Sequence, residues 1–204
     1  MPTIYDIKPA FQGLLRPLVV RLAAAGVTAN QVTIAAAVLS CATGGALAGW
    51  PHDRWPLLLM PAVLFARMAL NAIDGMLARE HNMKSPLGGI FNELGDVVSD
   101  AALYLPFALV PGLSAAWVIA VVLLAVISEM TGVVAVQIGA SRRYDGPLGK
   151  SDRAFLFGLL GLLGGLGVAF GRWTDLVLAV ACLLLVITIL NRSRKALAEV
   201  APAP

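Results

Sequence analysis

Long apolar stretches occupy most of the chain between residues 28 and 191. A bilayer span takes about 20 apolar residues, and we expect six such spans, at residues 29–49, 56–80, 87–110, 114–140, 153–171 and 174–191. The pattern therefore predicts an all-α integral membrane fold with six transmembrane helices in one domain, over residues 27–195, and a C-terminal tail at 196–204. In the fifth predicted span, Gly161 and Gly165 form a G-x3-G pair that predicts close helix packing.

A different periodicity precedes these spans. Between residues 4 and 24, apolar residues recur at spacings of three and four, and basic residues such as Arg16 and Arg21 lie elsewhere on the helical wheel. This pattern predicts an N-terminal amphipathic helix, within residues 1–26, that lies on the membrane surface. A helix that only packs on the bundle is the alternative. We expect Gly26 to end the helix.

The composition agrees with a membrane protein and orients it. With 59% hydrophobic and only 13% charged residues, the chain has too little polar surface to cover a water-soluble globule. If there are six spans, nearly all lysines and arginines fall on the face that carries both termini, and only Arg54 and Arg172 fall on the other. The excess of basic residues predicts that this face is cytoplasmic, in a bacterial-type inner membrane, and that any chemistry takes place there.

Several polar residues lie within or beside the predicted spans, where an unpaired charge costs several kcal/mol. They are Arg67, Asn71, Asp74, Glu93, Asp96, Asp100 and Glu129. Each of them needs a polar partner or a water-filled cavity. For Glu129 we expect a buried partner such as Arg67.

Most of these residues form two stripes, because residues three or four apart share one face of a helix. The stripes consist of Arg67, Asn71, Asp74 and Ala78 on the second span, and of Gly88, Asn92, Asp96 and Asp100 on the third. The short loop at 81–86 would make the two helices antiparallel neighbours, so that amides and carboxylates surround one cavity. Such oxygen ligands suit Mg²⁺ or Mn²⁺. A packing network or an ion passage would use the same residues, so spacing alone leaves enzyme, transporter or channel, and structural protein open.

A longer motif favours the enzyme. Residues 71–96 read N-A-I-D-G-M-L-A-R, eight residues, then G-G-I-F-N-E-L-G-D. This segment resembles the CDP-alcohol phosphotransferase signature, D-x2-D-G-x2-A-R-x(7 or 8)-G-x3-D-x3-D. The matching positions are Asp74, Gly75, Ala78, Arg79, Gly88 and Asp96.

Two further segments extend the resemblance over almost the whole chain. V-T-A-N-Q-V-T, from Val27 to Thr33, resembles the T-P-N-x-x-T segment that opens the family's first span. Lys150, Ser151 and Arg153 resemble a basic element that opens its fifth span. Within the family, the chain resembles the YnbA-type branch.

The resemblance implies an enzyme of phospholipid synthesis that transfers a phosphatidyl group from CDP-diacylglycerol to a small polar alcohol and releases CMP. It also implies membrane lipid as the surroundings, a homodimer, Mg²⁺ or Mn²⁺ as cofactor, and no nucleic-acid partner. Glycerol 3-phosphate, inositol phosphate, serine and other headgroups all remain possible acceptors.

The resemblance also implies site residues, because the functional positions of the family motif can be matched to positions of this sequence. The metal ligands would be Asn71, Asp74, Asn92, Asp96 and Asp100, with Asp96 as the general base and Asp100 as a second candidate for that role. Glycine permits close backbone approach, and arginine neutralises phosphate charge with several donors. The substrate-binding residues would be Thr28, Asn30, Gly75, Ala78, Arg79, Gly88, Lys150 and Arg153.

The chain departs from the family at two positions. Asn71 and Asn92 replace the first and third aspartates of the signature, which removes negative charge but keeps amide oxygens that can coordinate a metal. Metal affinity should fall unless Glu93 or Asp100 compensates. A degenerate, noncatalytic CDP-lipid-binding protein and a small transporter or channel are therefore the alternatives. The G-x2-A-R element argues against the latter, because ion passage does not require it.

Overall fold

The computed structural model describes the backbone of residues 4–201 and the side chains of residues 10–201. All regular secondary structure in this part of the chain is helical, which confirms the predicted all-α fold class. The helices are α1 (Ile4–Ala24), α2 (Ala29–Gly49), α3 (Arg54–Glu80), α4 (Pro86–Tyr104), α5 (Ala115–Gln137), α6 (Lys150–Gly165) and α7 (Arg172–Val200), with a 3-10 helix at Leu105–Leu109.

Four of the described helices, α2, α3, α5 and α7, are long and apolar enough to cross a bilayer. The other two helices at predicted spans differ from these in length or charge. α4 carries Glu93, Asp96 and Asp100 within 19 residues, and α6 has only 16 residues. Length and composition thus support four spans among the described residues, where the sequence pattern predicted six.

The third predicted span, at 87–110, ends earlier as an α-helix than expected. α4 stops at Tyr104 and continues as the 3-10 helix. Pro106 explains the change, because proline has no N–H to donate to the Ala102 carbonyl and disfavours α-helical backbone at the residue before it. α7 in turn remains helical to Val200, inside the segment predicted as a tail from residue 196.

The chain divides into two compact units. The N-terminal unit consists of Met1–Ala42 and Ala62–Ser99, and the C-terminal unit consists of Thr43–Pro61 and Asp100–Pro204. In the N-terminal unit, α1, α2 and α3 share an apolar core that includes Val19, Val32 and Met76.

One face of α1 packs into this core through Leu15, Val19 and Leu22. Leu14 and Leu18, on another face, are exposed. A bidentate ion pair from Arg16 to Glu80, with N–O distances of 3.2 and 3.0 Å, joins α1 to the end of α3. The described part of α1 therefore packs on the N-terminal unit and also presents apolar side chains outward.

Gly26 ends α1 as expected. Its φ of +78° is left-handed, a conformation that glycine adopts without steric cost. The N–H groups of Gly26 and Val27 donate to the carbonyls of Ala23 and Leu22, each over 3.0 Å. These two bonds satisfy carbonyls that the last turn of a helix otherwise leaves unpaired.

Small residues produce two close helix contacts in the C-terminal unit. A Cβ at Gly161 would lie 2.9 Å from the Leu57 carbonyl oxygen, and one at Gly44 would overlap the Ala102 carbonyl oxygen. In an α-helix, each carbonyl accepts from the N–H four residues later. For the Leu57 and Ala102 carbonyls those residues are Pro61 and Pro106, which have no N–H to donate. A glycine thus packs against each, and Gly165 packs equally closely on Leu58, which confirms the predicted packing of the G-x3-G pair.

Candidate active site

The two polar stripes face each other in the N-terminal unit. Asn71 on α3 donates from Nδ2 to Oδ1 of Asp96 on α4 over 3.3 Å. Arg67, one turn earlier on α3, donates from Nη2 to the backbone oxygen of Asp96 over 3.1 Å. The five-residue loop between α3 and α4 makes them neighbours, and the predicted facing of the stripes is confirmed.

Asp96 and Arg67 differ strongly in exposure. The Arg67 side chain is 3% exposed and that of Asp96 is 28% exposed, with 3.6 Å between Nη2 and Oδ1. A buried guanidinium therefore holds Asp96 through its backbone and its carboxylate, while the carboxylate stays accessible. An acid in this setting can meet a substrate hydroxyl without losing its position.

Asp74 is the second carboxylate of the site, and it is buried. Its Oδ2 accepts a hydrogen bond of 2.8 Å from Oγ1 of Thr33 on α2. Thr33 was not among the predicted site residues, although it ends the V-T-A-N-Q-V-T segment that carried part of the resemblance. The signal for it was a hydroxyl one helical turn after Ala29, on the face of α2 that meets α3.

Thr28 and Asn30, both predicted to bind substrate, lie where α2 begins. Thr28 Oγ1 accepts from the Gln31 N–H over 3.3 Å, and Gln31 Oε1 accepts from the Thr28 N–H over 2.9 Å. This reciprocal pair is a capping box, which satisfies two N–H groups at a helix start. The Thr28 hydroxyl therefore fixes where α2 begins, and its contact with substrate stays a prediction.

Asn30 lies against the start of α4. A Cβ at Gly88 would be 2.7 Å from Asn30 Oδ1 and 3.0 Å from Ser85 Oγ, and the same Ser85 oxygen accepts from the Gly88 N–H over 3.0 Å. Because any side chain at residue 88 would displace Asn30, glycine permits this contact between the starts of α2 and α4.

Gly75 and Arg79 are in direct contact on α3. The Arg79 Nη1 and Nη2 atoms are 3.0 and 3.1 Å from the position that a Cβ at residue 75 would take. The exposed guanidinium thus lies against residue 75, where glycine leaves room for it. Ala78 packs against the apolar core of the N-terminal unit, so its small side chain serves helix packing there.

The oxygen donors of this site come from two carboxylates and two amides, Asp74, Asp96, Asn71 and the exposed Asn92. Among the side chains that the structure describes, at residues 10–201, no three or more His, Cys, Asp or Glu are placed together to hold a metal ion. Magnesium sites commonly use one or two carboxylates and take their remaining ligands from water and substrate phosphates. The donor set therefore fits a divalent cation that binds together with a phosphate-bearing substrate.

The remaining predicted residues, Asp100, Lys150 and Arg153, belong to the C-terminal unit. Arg153 is fully buried, and its Nη2 contacts Asp100 Oδ2 over 2.9 Å and Glu129 Oε1 over 3.0 Å. Asp100 thus neutralises an arginine, while Lys150 is the first residue of α6. Roles for all three in metal or substrate binding stay predictions.

Glu129 was expected to pair with a buried polar partner such as Arg67, and the buried partners that the structure shows for it are Arg153 and Arg192. Its Oε2 atom lies 3.0 Å from Nη2 of Arg142 and 3.5 Å from Nη1 of Arg192, while Oε1 contacts Arg153. Arg67 pairs with Asp96 instead. We call Asp100, Glu129, Arg142, Arg153 and Arg192 the arginine cluster. Its arginines are remote from Glu129 in sequence, and no periodic pattern connects them.

The loop between α5 and α6 is attached to α7 by charge pairs. Asp145 accepts from Lys195 Nζ over 2.7 Å and from Arg143 Nε over 2.8 Å, and Arg143 also contacts Glu199 over 2.7 Å. The hydrogen bond from Lys195 lowers the pKa of the Asp145 carboxyl below its ordinary value, and Arg143 adds to this effect against a smaller opposing effect of burial.

The facing stripes bring the two halves of the motif together on neighbouring helices of a membrane fold, and the sequence comparison gives the family. Residues 26–190 match the CDP-alcohol phosphatidyltransferase family. The chain belongs to this family and is an enzyme of that class, as the motif resemblance implied. With four helices suited to crossing a bilayer, it is a multi-pass membrane protein.

Individual relatives agree with this assignment. The chain is 48% identical over 195 residues to the inner membrane protein YnbA of Escherichia coli K12, with 96% of both chains covered, which confirms the resemblance to that branch. Two solved structures of phosphatidylinositol phosphate synthase PgsA1 from Mycobacterium tuberculosis share the fold at 17% identity. The structure with CDP-DAG bound matches with a TM-score of 0.75 over 92% of this chain and 97% of that chain. The complex with manganese and citrate matches at 0.74 over 92% of both.

Proposed function

We propose that this enzyme transfers the phosphatidyl group of CDP-diacylglycerol to a small polar alcohol and releases CMP. The observation that carries the proposal is the contact between Asn71 and Asp96, which joins the two halves of the family motif into one site. The CDP-DAG bound to the PgsA1 structure of the same fold supports the lipid substrate.

In this reaction Asp96 is the general base. Its accessible carboxylate takes the proton of the acceptor hydroxyl, the oxygen attacks the lipid-proximal phosphorus of the diphosphate, and CMP leaves. Arg79, spread over Gly75, is placed to neutralise diphosphate oxygens with several donors. Asp100 is the weaker candidate for the base, because it is buried and paired with Arg153.

Asp74, Asp96, Asn71 and Asn92 would hold Mg²⁺ or Mn²⁺. The bound cation would offset the negative charge of the diphosphate. The manganese in the second PgsA1 structure supports this assignment. The hydroxyl of Thr33 donates to Asp74 and orients its carboxylate in this donor set.

We further propose that α2–α7 all cross an inner membrane and form the catalytic domain over residues 27–195, with residues 196–204 as the tail. α1, within residues 1–26, would lie at the cytoplasmic surface. Two observations support this arrangement: Leu14 and Leu18 are exposed on α1, and Arg16 is tied to the end of α3. The active site would face the cytoplasm because the basic residues concentrate at that end. The enzyme would function as a homodimer in membrane lipid, without nucleic acid.

The decisive experiment measures CMP release from CDP-diacylglycerol by the purified protein in lipid nanodiscs, with one candidate alcohol supplied at a time. We expect release that requires both an alcohol and a divalent cation, and a new phospholipid detected by mass spectrometry. Full activity in excess chelator would contradict the metal assignment. Binding of CDP-diacylglycerol without turnover for any alcohol would identify a noncatalytic binding protein, and ion flux in vesicles would indicate a transporter or channel.

A further inference from the structure

Three guanidinium groups converge on one carboxylate in the C-terminal unit. The Glu129 oxygens lie 3.0 Å from Arg142, 3.0 Å from Arg153 and 3.5 Å from Arg192. Grouped arginines are the usual way for a protein to bind a phosphate, because the planar guanidinium matches the phosphate oxygens. Here the three guanidinium groups surround Glu129, a side chain of the protein itself.

The arginines also have other internal partners. Arg153 contacts Asp100 over 2.9 Å, Arg142 donates to the Arg143 carbonyl over 2.8 Å, and Arg192 donates to the carbonyls of Ser128 and Asp145. The cluster holds three positive and two negative charges, so the loss of the Glu129 charge would double its excess of positive charge. Glu129 thus determines whether the cluster offers an anion site.

We propose that Glu129 is a specificity-determining residue that takes the place of a phosphate in the arginine cluster, so that the acceptor alcohol of this enzyme carries no phosphate group. The inference rests on the proposed function, and it names the class of acceptor. Asp100 of the cluster and the proposed base Asp96 lie on the same helix, α4, four residues or about one turn apart. A phosphorylated acceptor would have to displace the partly buried Glu129 carboxylate from three arginines.

The first arm of the test compares matched acceptors that differ only in the phosphate, such as glycerol with glycerol 3-phosphate and inositol with inositol phosphate. We expect the wild-type enzyme to favour the unphosphorylated member by at least about tenfold in kcat/KM, the change that one lost charged hydrogen bond brings. Glu129→Gln should shift the ratio toward the phosphorylated member. A wild-type preference for phosphorylated acceptors would overturn the proposal.

The second arm does not need turnover. The melting temperature is measured with and without inorganic phosphate at constant ionic strength, for wild type, Glu129→Gln and the control Glu199→Gln, whose carboxylate pairs with Arg143 outside the cluster. We expect phosphate to raise the melting temperature of Glu129→Gln alone. Equal stabilisation of all three proteins, or of none, contradicts the assigned role of Glu129.

The two arms separate this inference from the proposed function. If no alcohol drives CMP release, the proposed function fails, and the phosphate response still decides whether Glu129 closes an anion site. If Glu129→Gln does not fold, the wild-type protein suffices: stabilisation by phosphate, or a preference for glycerol 3-phosphate over glycerol, overturns the proposal.

Discussion

The two units of this protein hold their carboxylates with different donors. In the N-terminal unit, Asp74 accepts from the hydroxyl of Thr33, and Asp96 accepts from the amide of Asn71, with Arg67 Nη2 3.6 Å from its carboxylate oxygen. In the C-terminal unit, Asp100 and Glu129 contact guanidinium groups at 2.9 to 3.0 Å. A guanidinium within hydrogen-bond distance offsets the charge of a carboxylate more strongly than one at 3.6 Å, and a hydroxyl or amide donor carries no formal charge to offset it.

The comparison separates two sets of acids by their exposure and by the distance to the nearest guanidinium. Asp96 is 28% exposed with a guanidinium at 3.6 Å, so its carboxylate can meet a cation or a proton, as a phosphoryl-transfer site requires. The acids with arginine partners form a network of ion pairs that joins α4, α5, α6 and α7. Each of the following variants removes one element of this contrast, from the largest expected effect to the smallest.

The sharpest test replaces one acid in each unit by its amide. Asp96→Asn should reduce turnover by about 100- to 10,000-fold, the usual contribution of a general base. Asp100→Asn should act mainly through the stability of its pair with Arg153. Turnover is measured for both over a metal titration, with folding checked by detergent chromatography. A ligand defect recovers at high metal and a base defect does not; an active Asp96→Asn beside an inactive Asp100→Asn would move the base to Asp100.

The structural role of the arginine cluster predicts a large loss of stability. Arg153→Met should lower the free energy of unfolding by about 3 to 5 kcal/mol, because it leaves Asp100 and Glu129 buried without that partner. Lys195→Met is the control: this lysine is 58% exposed and pairs with Asp145, and an exposed pair contributes about 1 kcal/mol at most. Thermal unfolding in detergent measures both variants, and equal losses would show that the cluster is no more structural than a surface pair.

The contact between Gly75 and Arg79 predicts a smaller effect on catalysis. Gly75→Ala places a Cβ about 3 Å from the guanidinium and should displace it, and Arg79→Lys keeps the charge but loses the planar donors. We expect each to lower kcat/KM by about tenfold, as for one lost charged hydrogen bond. Gly89→Ala is the control, since a Cβ there meets nothing within 4 Å. Wild-type kinetics for Arg79→Lys would remove Arg79 from the site.

The smallest predicted effect concerns Asp145, whose pKa is lowered by Lys195 and Arg143. A lowered pKa in the folded state stabilises the protein above the unfolded pKa, about 3.9 for aspartate, and this stabilisation is lost as the pH falls through the folded value. Asp145→Asn should therefore reduce stability by at most about 1 kcal/mol near neutral pH and change nothing at strongly acidic pH. A pH series of melting temperatures for both proteins gives the difference. A difference that is constant with pH would assign the effect to packing.

Much of the N-terminal site could be predicted because its information is local. The motif from Asn71 to Asp96 lies on two consecutive helices joined by a short loop, so helical periodicity and the loop length together predict which side chains face each other. Thr33 was missed as a partner of Asp74 because 41 residues separate them. The early end of α4 at Tyr104 could have been predicted from Pro106, because proline has no N–H to continue the helix.

By itself, the sequence determined the helical class, the family and the facing of the two stripes, since each follows from periodicity or from a motif within one hairpin of helices. Only the tertiary structure decided that Glu129 binds Arg142, Arg153 and Arg192, and that Arg67 holds Asp96. The physical reason is that a buried charge requires some opposite partner, but not a particular one. Which arginine meets which acid depends on how distant helices pack, and in this protein close approaches such as Gly161 against Leu57 set that packing.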